Sequence, residues 1–479
     1  MTQGYLLGVD GGSQSTKVVV YDLSGAAVCQ ASVPLRPMSL PRPGVVEHPD
    51  DDLWVSLAGA CRAALAALAQ HAPGGYEILG VGLCTIRFCR ALLRQDGSLA
   101  SPVLSWMDSR VSVPHVPGDP DVQYVTTSSG YITARLTGAL RDTAANYAGQ
   151  WPVDPLRWAW SQDDAVVTAA GLRRDQLFEL VMPGECLGQV TDEAASETGI
   201  PSGTPVFATA NDKAVEALGC GITEPGTALL SLGTYIAGMV TGREYPADPQ
   251  SYWANFGSVP GRYLYESYGI RRGMWTVSWL RDLFGVQLGA DAAVAGISVE
   301  ELMNRAADAV PPGSDGLLTV LDWLAPTDVP HRKGSILGFD ARHGWAHLYR
   351  SVLEGIAMTM HDRISAMGAE LGRPLERLVA GGGGAHSDVM TQILADVFAA
   401  PVARMRAPSG ASLGSAICAA VGLGLFDSFV SAAATMVAVR DVAEPDLDRA
   451  DLYRRLGAVY RAIPERTDPV YEQLYPITH

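Results

Sequence analysis

The sequence is poor in basic charge and has no ordered set of cysteines. Its 479 residues carry a formal net charge of −16, which argues against a nucleic acid or an anionic membrane surface as the main partner. The seven cysteines are an odd, scattered set without Cys-x-x-Cys spacing, so neither a disulfide framework nor a zinc site is indicated. These absences favour small-molecule ligands and a reducing compartment.

Apolar segments of the kind that direct proteins to membranes are also missing. Residues 1–3 lead almost directly into the first predicted strand, which leaves no room for a signal peptide. No apolar run approaches the roughly 20 residues of a membrane span, so we expect a cytoplasmic protein with no membrane partner. The 48% apolar and 18% charged content is typical of a soluble globular enzyme, and the length allows two or three domains.

The opening segment, residues 6–22, predicts a strand, a turn of small residues and a second strand. Gly11 and Gly12 can take backbone angles that other residues avoid, so amides there can approach an anion closely. Asp10 ends the first strand and is free to hold a metal, while the turn adds hydroxyls and one ammonium group from Ser13, Ser15, Thr16 and Lys17. The common phosphate-binding loop Gly-x-x-x-x-Gly-Lys-Ser/Thr is absent, because the apolar run resumes as a strand where that loop needs a helix. The segment is therefore a phosphate-holding hairpin or an ordinary Gly-rich hairpin.

Short apolar runs alternate with longer amphipathic stretches along the chain. The predicted strands include 5–10, 17–22 and 77–84, and the predicted helices include 50–70, 298–310, 345–371 and 388–399. Such alternation predicts an α/β fold. Residues 226–240 repeat the opening pattern of strand, hydroxyl-bearing turn and strand, so two domains of like architecture are expected.

Two further segments place chemistry at strand ends. Residues 208–219 change from an apolar strand to an Ala-rich helix at Asp212, which puts this carboxylate at an expected interdomain cleft. Residues 381–384 are four glycines between a strand and a helix, so a flat ligand can lie against bare backbone there. The alternative for these glycines is a tight connection that permits close packing. Glycine and hydroxyl turns in both halves favour a shared nucleotide site.

In their order and spacing these motifs resemble the FGGY carbohydrate kinases, which are sugar kinases of the actin/hexokinase type. The resemblance runs from about residue 4 to about residue 425 and includes shorter segments at 44–49, 105–110, 135–138, 142–146 and 313–317. It implies an α/β fold of two similar actin/hexokinase-like (ribonuclease H-like) domains, residues 1–221 and 222–479, with a cleft between them. It also implies phosphoryl transfer from ATP, with Mg²⁺, to a hydroxyl of a small sugar or polyol.

The same resemblance assigns roles to individual residues. Asp212 is the base that takes the acceptor proton, and Asp10 holds Mg²⁺. Three groups of residues are expected to bind the nucleotide. The terminal phosphates contact Gly12, Ser13, Gln14, Ser15 and Lys17; phosphate or ribose meets Gly233, Thr234 and Gly273; and the adenine lies beside Gly382, Gly383 and Ser387.

Acceptor contacts are expected from Arg87, Phe88, Asp108, Asp212 and Lys213. Arg87 falls where glycerol kinases carry an arginine, but Phe88 replaces the glutamate that follows it there, and the Met-His pair of the xylulokinase type is absent. Glycerol is therefore disfavoured and xylulose is unsupported, which leaves a ketopentose-like sugar or a polyol. Two alternatives stay open, since Phe88 is equally a core residue and Asp108 is equally the partner of an internal salt bridge.

The sequence departs from the family pattern in two places. Lys213 stands where many members have Gln or Asn, and it either lowers the pKa of Asp212 or points away along the helix. Only about twenty residues separate Arg110 from the stretch 131–136, where relatives have two to three times as many. The shortened segment, residues 111–130, implies a different pocket wall: a site for a larger sugar, one completed by a second subunit in a homodimer, or one that has lost kinase activity.

An ATP-dependent carbohydrate kinase is thus the predicted function. A nucleotide-dependent binding or sensor protein of the same fold, with domain closure as its output, is the alternative from another class. The retained Asp212 argues against that alternative and the shortened segment argues for it. A kinase that forms acyl phosphates would need an arginine-rich pocket for a carboxylate, to which Arg87 and Arg90 would contribute.

Overall fold

Two mixed β-sheets, one in each half of the chain, organise the computed structural model, which describes residues 3–326, 329–373, 375 and 377–478. The first sheet has the strand order β11-β12-β4-β1-β2-β3 and the second the order β15-β16-β14-β13-β19-β20-β21. The first comprises β1 (Gln3–Gly11), β2 (Ser15–Tyr21), β3 (Ala27–Pro34), β4 (Tyr76–Thr85), β11 (Cys186–Gln189) and β12 (Pro205–Ala208). The second comprises β13 (Thr227–Leu232), β14 (Ile236–Gly242), β15 (Tyr252–Phe256), β16 (Tyr263–Ser267), β19 (Arg377–Gly381), β20 (Val402–Met405) and β21 (Val439–Ala443).

Helices cover the sheets, and short ribbons connect them. The helices are α1 (Asp52–His71), α2 (Ser128–Thr137), α3 (Asp164–Ala169), α4 (Asp192–Thr198), α5 (Asp212–Gly219), α6 (Gly273–Leu283), α7 (Gly285–Ala295), α8 (Val299–Asp308), α9 (Trp345–Glu370), α10 (Asp388–Phe398), α11 (Gly410–Gly422), α12 (Phe429–Met436), α13 (Leu447–Arg461) and α14 (Ile463–Thr478). The ribbons pair β5 (Ala91–Leu93) with β6 (Tyr124–Thr126), β7 (Arg141–Thr143) with β10 (Glu179–Val181), β8 (Val153–Asp154) with β9 (Ala159–Trp160), and β17 (Leu318–Val320) with β18 (Ser335–Leu337).

The two sheets are built around the same motif. In each, a central strand pairs antiparallel with the next strand of a hairpin and parallel with a later strand: β1 with β2 and β4, and β13 with β14 and β19. Both central strands are buried on both faces, which is why their sequences are nearly continuous apolar runs. The predicted repeat of one architecture is confirmed. The predicted strands correspond to β1, β2 and β4, and the predicted helices to α1, α8, α9 and α10.

Helix α1 is long and apolar enough to cross a membrane, although no apolar run of that length was expected from the sequence. In the described part of the chain it is the single helix with these properties, and 61% of its apolar stretch is buried inside the protein. It packs on β2 and β3. Its apolar composition is therefore accounted for as that of a core helix.

Helices α11 and α12 belong to the second half of the chain but pack on the first sheet. Their residues share one apolar cluster with Leu6, Tyr21 and Phe207 of that sheet. A Cβ atom on Gly8 of β1 would lie closer than 3.0 Å to the carbonyl oxygen of Ser412, so the backbones of strand and helix are in direct contact. The strands of the first sheet lie within residues 3–208 and those of the second within residues 227–443, whereas α11 and α12 tie the two halves of the chain together.

Candidate active site at the junction of the two halves

A cavity of about 320 Å³ opens where both central hairpins meet α5 and α11. Residues from both halves of the chain line it. Those predicted from the sequence are Asp10, Lys17, Asp212, Lys213, Gly233, Gly382 and Gly383. Carboxylates, cations and bare glycine backbone are thus gathered in one recess.

Asp10 stands at the end of β1, directly across the hairpin from Lys17. Desolvation in the cavity raises the pKa of Asp10 to about 6, with further contributions from the nearby Asp212 and Glu216 carboxylates, while Lys17 and a hydrogen bond from Ser409 act in the opposite direction. The Ser409 hydroxyl donates to Oδ2 of Asp10 over 3.3 Å.

A magnesium ion fits this carboxylate if phosphate oxygens supply the other ligands. The described residues contain no cluster of three or more His, Cys, Asp or Glu side chains able to form an all-protein metal site. Mg²⁺ commonly binds through one or two carboxylates, waters and substrate phosphates, which matches a single recessed Asp10 at a phosphate-binding hairpin.

Asp212 is the first residue of α5, and the preceding Asn211 caps the helix by accepting a hydrogen bond of 3.1 Å from the Ala214 amide. The Lys213 amide donates to Oδ1 of Asp212 over 3.0 Å. No residue in the described part of the chain donates a hydrogen bond to Oδ2. One oxygen of this carboxylate is therefore held and the other is free to accept a proton.

Desolvation raises the pKa of Asp212, although Arg87 and Lys213 act in the opposite direction. The raised pKa makes this carboxylate a stronger base than one in water, which is the direction that proton abstraction requires.

Lys213 lies in the cavity instead of pointing away along the helix. Its Nζ donates to Oγ of Ser231 over 2.8 Å and to Oε2 of Glu216 over 3.2 Å. The predicted effect of Lys213, which lowers the pKa of Asp212, is present, but desolvation outweighs it and the net shift is upward. Burial disfavours the Lys213 ammonium itself, yet the carboxylates of Glu216 and Asp212 together raise its pKa.

Arg87 lies beside the base but is held by a residue of the second half. Its NH1 and NH2 donate to the two carboxylate oxygens of Glu266 over 2.8 and 3.0 Å. Its Nε lies 3.8 Å from Oδ1 of Asp212. Phe88 is not among the residues of the core of the first sheet. Its ring instead lies 5.9 Å from that of Trp253 on β15 of the second sheet.

Asp108 is fully engaged in an internal ion pair, which was the alternative to acceptor binding. Its Oδ1 accepts from the backbone and Nε of Arg110, and its Oδ2 accepts from the Val46 amide and from NH2 of Arg110. Arg110 also donates to Glu47 over 2.7 Å. With 1% of the residue exposed and both oxygens occupied, Asp108 has no lone pair left for a sugar hydroxyl. The expectation that it binds the acceptor is therefore corrected.

The shortened segment 111–130 is held by Arg90, which donates to the carbonyl oxygens of Arg110 and Val113 over 3.0 and 3.1 Å. A second cavity of about 240 Å³ lies here, lined by Phe88, Trp106 and Trp151 among others. The chain's own aromatic residues thus form this part of the wall.

The turn of the first hairpin differs in detail from the expectation. Neither Gly11 nor Gly12 has a positive φ, so their backbone angles are ordinary. Thr16 is turned into the core, where its hydroxyl lies 2.7 Å from that of Ser56. Ser13, Gln14 and Ser15 form the turn beside Lys17 without lining the cavity.

In the second half, Gly382 and Gly383 line the cavity as expected. Gly382 has a φ of 78°, and a Cβ there would contact the Leu232 backbone, so glycine is required on both counts. Thr234, Gly273 and Ser387 do not line it. The Gly273 amide donates to the Thr234 carbonyl over 2.9 Å, and Ser387 caps α10 and donates to Asn304 over 2.9 Å.

Several lining residues were missed by sequence reasoning. They are Glu216, Ser231, His386, Arg404, Ser409 and Arg440. Ser409 could have been found, because a serine after a proline and before a run of small residues is a helix N-cap signal. The others lie on elements that come together only through contacts between distant parts of the chain.

Comparisons with known proteins agree with this arrangement. Residues 228–423 match the model of the FGGY family of carbohydrate kinases, C-terminal domain. The chain is 46% identical over 480 residues to the uncharacterized sugar kinase YgcE of Escherichia coli (strain K12), covering 100% of this chain and 97% of that protein. It is 26% identical over 520 residues to a xylulose kinase of Staphylococcus epidermidis, covering 100% of both.

A solved structure shares the fold across nearly the whole chain. Ligand-bound xylulose kinase from Lactobacillus acidophilus aligns with a TM-score of 0.81 at 21% identity, covering 98% of this chain and 99% of that one. The expected two-domain actin/hexokinase-like fold is confirmed. Such kinases phosphorylate a sugar from ATP, and the relative at 46% identity over the full length is a sugar kinase. The chain therefore belongs to the FGGY family of carbohydrate kinases and is a phosphotransferase that acts on a sugar hydroxyl.

Proposed function

We propose that this kinase transfers the terminal phosphoryl group of ATP to a hydroxyl of a small, uncharged, ketopentose-like sugar or polyol in the cytoplasm. Asp212 is the base and Asp10 the Mg²⁺ ligand. The observation that carries the proposal is that one cavity contains both aspartates, Lys17 and the glycine turn at residues 381–383. Phosphoryl transfer needs alignment, charge neutralisation and exclusion of water, and little covalent chemistry from the protein.

On the acceptor side, Asp212 accepts the hydroxyl proton at Oδ2. The Lys213 amide donates to Oδ1 over 3.0 Å, which leaves Oδ2 of this cavity-lining carboxylate for the acceptor proton. Burial raises the pKa of Asp212, which strengthens it as the base that takes this proton.

On the donor side, Lys17 contacts the terminal phosphates, Gly233 approaches from the second hairpin, and Gly382 and Gly383 support the adenine, since all four residues line the cavity. Asp10 would hold Mg²⁺, which would neutralise charge on the phosphate oxygens. Lys17 is held near this point by a hydrogen bond of 3.4 Å to the Pro408 carbonyl.

The charges around Asp212 favour an uncharged acceptor. The two nearest cations are already paired, Arg87 with Glu266 and Lys213 with Glu216. Arg90, the other arginine close to Arg87 in the sequence, donates hydrogen bonds to backbone carbonyls. A carboxylate on the acceptor would meet Asp212 where the neighbouring cations Arg87 and Lys213 are already paired, and like-charge juxtaposition is costly. This argues against a kinase that forms acyl phosphates.

ADP release with Mg-ATP tests the proposal against a panel of neutral acceptors and their matched acids, such as ribitol with ribonate, together with glycerol, tetritols, ketopentoses and ketohexoses. We expect the best neutral acceptor to exceed its matched acid in kcat/KM by at least about 100-fold. A like-charge contact costs several kcal/mol, and each tenfold step in kcat/KM corresponds to about 1.4 kcal/mol of discrimination. A preference for the acid would contradict the charge argument. Silence of every acceptor, with ATP still bound, would favour a sensor function.

Magnesium affinity should depend on pH through Asp10. Below a pKa of about 6 the cation must displace a proton from this carboxylate. Binding of Mg-ATP is therefore expected to be constant above about pH 7 and to weaken by up to about tenfold per pH unit below pH 6. Intrinsic tryptophan fluorescence can measure this binding without turnover.

Asp10→Asn and a titration of ATP with EDTA are the controls for this pH dependence. Both remove the competition between proton and cation, so both should show weak binding with a shallow pH profile. A slope below pH 6 that persists in Asp10→Asn would assign the titration to another group.

A further inference from the structure

One buried ion pair joins the two halves of the protein next to the catalytic carboxylate. Arg87 follows β4 of the first sheet, and Glu266 lies on β16 of the second. The pair is bidentate, at 2.8 and 3.0 Å, and the Glu266 side chain is 0% exposed. Two parallel N–H···O bonds of this kind fix the plane of the guanidinium as well as its distance.

Aromatic rings hold the same guanidinium from other sides. Its central carbon lies 4.6 Å from the ring centre of Trp253 on β15 and 5.2 Å from that of Phe88. Phe88 has a left-handed φ of 62°, which is rare for an aromatic residue and persists only where the surroundings determine it. We name Arg87, Phe88, Trp253 and Glu266 the Arg87 clamp.

The clamp leaves one edge of Arg87 for the base. With both terminal nitrogens on Glu266, Nε faces Oδ1 of Asp212 at 3.8 Å. This separation is longer than a hydrogen bond, so Arg87 attracts the carboxylate without taking either oxygen from the acceptor. On the other side of Asp212, Lys213 is held in the same manner by Glu216 and Ser231.

We propose that Glu266 and Trp253 are positioning residues, which act through Arg87 to keep Oδ2 of Asp212 available for the acceptor proton. The inference rests on the proposed function. Because both residues come from the second half of the chain, the base has its working surroundings only when the halves are together.

Loss of the Glu266 charge has a defined consequence. A buried guanidinium needs an anionic partner, and the nearest one left is Asp212. Arg87 would turn from Glu266 onto Asp212 and occupy the oxygen that should accept the proton. Since misplacement of a catalytic group by about 1 Å costs up to about 100-fold in rate, we expect Glu266→Gln to lower kcat by about 10- to 100-fold. The KM for ATP should stay within about twofold, because the clamp does not line the nucleotide cavity.

A double-mutant cycle tests the inference, with turnover of the best neutral acceptor of the panel as readout. The variants are Glu266→Gln, Arg87→Met and the two combined. If Glu266 acts through Arg87, Glu266→Gln lowers kcat in the wild-type background and has no further effect in the Arg87→Met background. Glu266→Asp, which retains the charge, should recover most of the lost kcat. If Arg87→Met does not fold, because it leaves Glu266 unpaired, the recovery of kcat in Glu266→Asp tests by itself whether the charge of Glu266 is required.

Glu354→Gln is the matched control, because Glu354 also pairs with a buried arginine, Arg350, at 2.8 Å but lies outside the cavity. It should lower thermal stability and leave kcat unchanged. The inference is overturned if Glu266→Gln behaves like Glu354→Gln, or if its full effect on kcat persists without Arg87. A wild-type protein that phosphorylates no acceptor would overturn the proposed function instead.

Discussion

Replacement of Asp212 by asparagine is expected to lower kcat by about 10²- to 10⁴-fold, the range that a positioned general base contributes. The amide has nearly the same shape and can still accept the Lys213 amide bond that holds Oδ1 over 3.0 Å. It cannot take a proton from the acceptor at the second position. Binding of ATP should be nearly unchanged, so thermal stabilisation by Mg-ATP should persist while turnover is lost.

Asp396→Asn is the control for this variant, because Asp396 is also a buried carboxylate, 1% exposed, but lies on α10 away from the cavity. It is expected to change stability and not kcat. Asp212→Asn with a kcat within tenfold of wild type would show that another group takes the proton.

Gly8→Ala is expected to lower the melting temperature by about 2 to 12 °C, since overpacking costs about 1 to 3 kcal/mol and each kcal/mol shifts a domain of this size by about 2 to 4 °C. The new Cβ would lie closer than 3.0 Å to the Ser412 carbonyl oxygen, a distance that real Cβ atoms essentially never show. The clash is with backbone and cannot be relieved by a side-chain rotation, so α11 must move away from β1.

The same variant should weaken ATP binding. Ser409 caps α11 and donates to Asp10, two residues beyond Gly8, so a shift of the helix alters the metal-binding end of β1. Gly74→Ala is the matched control, because a Cβ there meets nothing within 4 Å and its φ is not positive. Equal melting temperatures for the two variants in differential scanning calorimetry would contradict the described packing of α11.

The local parts of this fold and site could be predicted from the sequence because their signals are local. An apolar run that ends in Asp10 predicts a strand with a carboxylate at its end, and a strand-to-helix change at Asp212 predicts a carboxylate where a strand gives way to a helix. The repeat at residues 226–240 likewise predicts a second sheet of the same design. Each of these features is contained in fewer than about twenty residues and follows from periodicity and turn chemistry.

The remainder depends on contacts between distant segments. Glu266 lies 179 positions from Arg87, and nothing in the sequence of β16 distinguishes a glutamate that reaches the base from one that faces solvent. The pKa of Asp212 depends on the sum of burial and two opposing cations, so the lowering effect of Lys213 could be predicted from the sequence but the net rise could not. Asp108 illustrates the same limit, since its engagement by the Val46 amide becomes visible only when that loop is placed.

The most direct test of the account is the stoichiometry of phosphoryl transfer, measured by phosphorus NMR with Mg-ATP and the best neutral acceptor. We expect one phosphorylated acceptor for each ADP formed, little release of inorganic phosphate, and the loss of both products in Asp212→Asn. Acceptor-independent release of phosphate, or product formation that survives in Asp212→Asn, would contradict it.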